Sequence, residues 1–122
     1  MKDLFKNLPK CLPIILTLVF IHSASAQFVP KNEVEKQAAK LVQAYQAEVG
    51  MTIEQASEVY EKIVEVIDKE NSIRNSELST EQKKMSLMNL SKQETAHMGT
   101  ILDPKQFREY KKMKKTLQPI NY

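Results

Sequence analysis

The side chains able to do chemistry fall into a few groups, and none has the spacing of a reaction centre. His97 and Met98, with Met85 and Met88 on the same segment, offer one imidazole and three thioethers. Thioethers suit a soft ion such as Cu(I). A single His with no second one four residues away and no nearby Cys is too few donors for a zinc site, so no metal and no cofactor is expected. There is no Ser-His-Asp set at a nucleophile elbow and no Gly-rich phosphate loop, and the only glycines are Gly50 and Gly99. The chain is therefore read as a non-enzyme. What remains is binding chemistry: Lys83, Lys84, Arg108, Lys111, Lys112 and Lys115 supply positive charge, and Met85, Met88, Met98 and Met113 supply adaptable apolar contact. Core packing is the plainer reading of the methionines, and a solvated face the plainer reading of the lysines.

A second kind of chemistry is repeated along the chain. Met51-Thr52-Ile53-Glu54-Gln55, Leu78-Ser79-Thr80-Glu81-Gln82 and Leu102-Asp103-Pro104-Lys105-Gln106 share one pattern: an apolar residue, a short oxygen acceptor, two variable positions and a glutamine. This is the capping box of a helix start. The Thr52, Ser79 or Asp103 oxygen accepts from the N–H three residues on, and Gln55, Gln82 or Gln106 reaches back to the cap's own N–H. Pro104 fits the first helical position, where no N–H is needed.

These starts divide the chain into amphipathic helices. The first is expected from about Asn32 to Val49, with Val34, Ala38, Leu41, Val42, Tyr45 and Val49 on one side and Gly50 just past its end. The second starts at Thr52 with an apolar stripe of Ala56, Val59, Tyr60, Ile63, Val66 and Ile67. Glu54, Glu58, Glu61, Glu65 and Asp68 make its other surface acidic. The third runs from Ser79 or Thr80 to about Ile101 with Leu87, Leu90, Met98 and Ile101 in line, and Gly99 is read as a bend near its end. The fourth, Pro104 to about Leu117, places Phe107, Tyr110, Met113 and Leu117 on one side. Arg108, Lys111, Lys112, Lys114 and Lys115 make its remainder basic. With no two-residue alternation and no hairpin signal, the fold class is all-α: about four amphipathic helices, including a long helical hairpin. Long apolar stripes in so small a domain favour a homodimer.

Residues 1–26 stand apart. Lys2, Lys6 and Lys10 precede an apolar run from Leu12 to Ile21, and Ala24-Ser25-Ala26 is a small-x-small cleavage site, together the pattern of a secretory signal peptide. The run is about half the roughly 20 residues a membrane span needs, so no stable membrane insertion is expected after cleavage. Cys11 is lost with the leader. The remaining residues, 27–122, form one domain without disulfides. Removing the three leader lysines and Asp3 from the chain's 18 basic and 15 acidic residues leaves 15 against 14, so the bulk charge gives no argument for nucleic-acid binding, which matches an exported protein poorly. The distribution is uneven, acidic up to Glu77 and basic from Leu78 onward.

Three imperfect copies of L-T-x-x-Q in an exported, cysteine-free, all-helical domain resemble the Spy/CpxP family of periplasmic chaperones and stress-response proteins. The likeness spans roughly Met51 to Lys115 and is best from Ile101 to Tyr110. Met51 stands in place of Leu, and Ser79 and Asp103 in place of Thr; each substitute keeps the apolar or capping role. The resemblance implies an antiparallel, cradle-shaped dimer in the periplasm that holds unfolded or partly folded proteins without ATP, on a basic surface with apolar patches. Lys83, Lys84, Met85, Met88, Met98, Arg108, Lys111, Lys112, Met113 and Lys115 are the candidate client contacts. The alternative is an envelope stress or metal-responsive sensor protein that binds one specific partner.

Overall fold

The structure is a computed structural model and describes residues 28–120; the signal-peptide reading of residues 1–26 lies outside the described residues. Four helices follow in order: α1 (Glu33–Val49), α2 (Ile53–Arg74), α3 (Thr80–Ile101) and α4 (Pro104–Leu117). The fold is all-α, and none of these helices is long and apolar enough to cross a membrane.

Each start is held as the spacing predicts. Thr52 Oγ1 accepts from Gln55 N at 3.1 Å while Gln55 Oε1 accepts from Thr52 N at 3.0 Å. The same reciprocal pair forms at Ser79 with Gln82 and at Asp103 with Gln106. A fourth start lies outside that pattern: Asn32 Oδ1 accepts from Glu35 N at 2.9 Å, and the Glu35 carboxylate accepts from Lys31 N at 2.8 Å. Gly50 ends α1 with φ of 72°, a left-handed conformation that a Cβ would strain. At the far end of α2, Ser76 Oγ donates to Ile73 O at 2.6 Å and Lys83 Nζ donates to Arg74 O at 2.8 Å. The last two carbonyls of that helix, Ile73 O and Arg74 O, are thereby satisfied.

Neighbouring helices pack α1 on α2, α2 on α3, α3 on α4, and α4 back on α1. The long α2–α3 hairpin is present, and α1 and α4 close over it. Val42, Tyr45, Ala56, Val59, Ile63, Met98, Leu102 and Tyr110 meet in one core. Most of the apolar stripes that favoured a homodimer meet in this core, while Leu117 at the end of the α4 stripe stays exposed. The helix α3 runs on through Gly99 to Ile101. Gly99 admits the Phe107 ring, whose Cζ would lie 3.4 Å from an added Cβ. Before α1, the Phe28 ring stacks on Tyr60 with centroids 4.2 Å apart.

The boxes do different work at the two ends of the bundle. Met51 and Leu102, the apolar leads of the first and third boxes, are buried, whereas Leu78 of the second is exposed. The first and third boxes meet: Gln55 Nε2 donates to Gln106 Oε1 at 2.8 Å, and Gln106 Nε2 donates to Gln55 Oε1 at 2.9 Å. Each amide also donates to a terminal carbonyl beside the opposite box, Gln55 to Ile101 O and Gln106 to Gly50 O. Both side chains therefore use two donors and two acceptances, which only an amide can do. Gln106→Glu is accordingly expected to lose about 2 kcal/mol, because a carboxylate cannot donate to Gln55 or Gly50. Gln82→Glu keeps its only bonds, those of a cap, and should lie within about 0.5 kcal/mol of the parent. Urea unfolding of the two variants measures the difference.

Candidate functional site

The candidate client contacts do not share one surface. Met85 and Met88 are 59% and 36% exposed on the outer side of α3. Met98, expected among them, is 0% exposed and belongs to the core, because it lies on the inward line of Leu87, Leu90 and Ile101. Met113 is half-buried and packs against the same core. Lys83 spends its ammonium on the α2 carboxyl end, and Lys84 is likewise half-buried and engaged. Arg108, Lys111, Lys112 and Lys115 are exposed along α4, with Lys111 4.6 Å above the Phe107 ring and Lys112 paired to Glu109 at 3.1 Å. Lys114 breaks the expected basic face, since it is buried.

Lys114 points into a polar network whose centre, Glu94, is 1% exposed. Glu94 arrives from α3, at the position that continues the Leu87 and Leu90 line toward Met98. Glu94 Oε1 accepts from Tyr110 Oη at 3.0 Å, and Oε2 accepts from Gln118 Nε2 at 3.3 Å and lies 3.6 Å from Lys114 Nζ. Lys114 Nζ donates to Ser91 O and to Thr95 Oγ1, both at 2.8 Å. Tyr45 Oη, from α1, donates to Gln118 Oε1 at 2.6 Å. The network thus ties α4 to both α1 and α3. Among the described residues no buried side-chain nitrogen or oxygen lacks a partner.

Burial sets the proton positions. It pushes the Tyr110 and Tyr45 hydroxyls far up, with the Glu94 charge adding to the effect, so both remain donors. Burial lowers the Lys114 ammonium while Glu94 works the other way. Glu70 of α2 faces the same interior, and burial raises its carboxyl above the ordinary 4.5, against the pull of Arg74. A raised acid binds more protons folded than unfolded, so its contribution is present below 4.5 and is lost as pH rises through the folded value. Glu70→Gln should therefore raise the melting temperature at neutral pH, and the gain should vanish as pH falls toward 4.5. Thermal unfolding across that window checks the sign.

Two depressions flank Lys114. One, about 490 Å³, lies among all four helices, with Leu41, Ile67, Leu87 and Leu117 as apolar wall and Glu70 and Glu94 at its polar side. The other, about 540 Å³, is a groove between α3 and α4, where Lys111 and Lys115 face Ser91 and Thr95. Met88 lies one turn before Ser91 on the outer rim of α3. No group of three or more His, Cys, Asp and Glu is arranged to hold a metal ion among the described residues, and His97 is exposed.

Sequence reasoning missed Glu94. The available signal was the gap it fills, since the α3 stripe steps from Leu90 to Met98 with Glu94 one turn from each. Lys114 had the same signal, lying two turns from Phe107 on the α4 apolar side. Comparison with family models, curated proteins and solved structures found no match.

Proposed function

We propose that this chain is an exported, ATP-independent holding protein of the Spy/CpxP type, which binds unfolded or partly folded proteins in the periplasm after removal of its leader. The observation that carries this reading is the pair Met85 and Met88. They lie on the outer side of a helix whose inner side already fills a core, so packing does not account for them. Leu78, directly before the N-cap of the same helix, is exposed as well. The α4 cations Arg108, Lys111, Lys112 and Lys115 provide long-range attraction, and the flexible thioethers adapt to varied apolar segments. A client leaves when folding buries its own apolar surface.

Aggregation of an unfolding model substrate tests the proposal. The protein at stoichiometric amounts should suppress light scattering, more strongly at low salt. Met85→Ser with Met88→Ser should remove most of that suppression without unfolding the bundle. No suppression by the parent at any salt concentration overturns the reading.

A further inference from the structure

The outer charges of α2 and α4 form two rows. Glu54, Glu58, Glu61, Glu65 and Asp68 recur at alternating steps of four and three, and Lys105, Arg108, Lys112 and Lys115 at steps of three and four. Such spacing keeps each row on one line of its helix, and all nine residues are exposed. Like charges at that spacing work against their own helix. Local pairing relieves little of this: Glu65 is shared by Lys62 and Lys69, and Lys112 leans on Glu109. Among the described residues, Glu54, Glu58, Glu61, Asp68, Lys105, Arg108 and Lys115 have no ion-pair partner.

The two rows cannot meet within one chain. α2 and α4 lie across the diagonal of the bundle, with backbones nowhere within 8 Å and inner side chains joined through Gln55 and Gln106. Their outer rows therefore face opposite ways. The paired boxes also set the rows at one level: Glu54 and Lys105 each directly precede a box glutamine, and Glu61 and Lys112 each follow one by six residues. Both helices run in the same direction, since the starts meet at one end while Glu70, Arg74, Lys114 and Leu117 line one depression toward the other. Sliding a second copy sideways, without turning it, brings an acidic row opposite a basic row in register.

We infer that copies of this chain associate head to tail, the acidic outer row of α2 on one copy lying against the basic outer row of α4 on the next. A two-fold axis cannot make this contact, because it would set each row against its own kind. The contact is open-ended, so assembly continues past two chains. Arg108, Lys112 and Lys115 of the basic row are also assigned to clients above, so a client and a second copy exclude each other there. The test contains no client and stands apart from that proposal.

Sedimentation equilibrium of the purified protein should give an average mass that rises with concentration past the dimer at low salt. Association should weaken at least roughly tenfold between about 20 mM and about 500 mM NaCl. Glu58→Lys with Glu61→Lys, and separately Arg108→Glu with Lys112→Glu, should each remain monomeric. Mixing the two variants should restore association, since each then offers the row the other lacks. Circular dichroism verifies that both variants fold. A mass independent of salt, one that stops at the dimer, or association that survives both reversals overturns the inference.

Discussion

Glu94→Ala is expected to cost about 3–5 kcal/mol of folding stability, the usual penalty for leaving half of a buried ion pair. The substitution strands Lys114 Nζ without its counter-ion and leaves Tyr110 Oη and Gln118 Nε2 without their acceptors. Stabilities of small domains are about 5–15 kcal/mol, so a large part of the total is at stake. The loss should depend on pH. Burial already lowers the Lys114 ammonium below 10.5, and loss of Glu94 lowers it further. Between that lowered value and 10.5 the unfolded chain binds more protons, so the variant regains stability as pH rises through the window. Glu94→Leu combined with Lys114→Met should recover the part of the loss due to the stranded ammonium, because an apolar pair of similar volume needs no counter-charge, while Tyr110 Oη and Gln118 Nε2 still lack their acceptor. Urea unfolding at neutral and alkaline pH measures all three effects. A single variant within about 1 kcal/mol of the parent would show that Glu94 does not organise the interior.

Met98→Ala should cost about 2–5 kcal/mol, the range for truncating a buried Leu, Ile or Met. Met98 is fully enclosed by the core that includes Tyr45 and Tyr110, and the space left by its removal has no water-facing side. Met85→Ala and Met88→Ala should each change stability by no more than about 0.5 kcal/mol, as exposed positions do. Equilibrium unfolding of the three variants separates the inner methionine from the outer pair. Equal losses at all three positions would contradict the inward placement of Met98.

The helix starts were legible because each capping box is a local device whose parts lie within four residues. Gly50 and Pro104 were legible for the same reason. Which boxes meet was not, because the bonds between Gln55 and Gln106 depend on four helices closing, a fact of packing. The second box carries the same residue types and ends at the opposite, solvated end of the bundle. Charge misled the reading of Lys114 and let Glu94 pass unnoticed: a lone carboxylate or ammonium on an amphipathic helix reads as surface until its register is counted. Both then fall on apolar lines. The methionines were divided by the same geometry, since Met85 and Met98 lie thirteen residues apart on one helix and point to opposite sides.

The proposal that outer methionines hold unfolded protein is tested most directly by methyl-labelled methionine NMR during titration with an unfolded model polypeptide. Met85 and Met88 methyl signals should shift or broaden as the polypeptide is added, while those of Met51 and Met98 stay in place. Signals unmoved at excess polypeptide, or movement confined to the buried methionines, would contradict it.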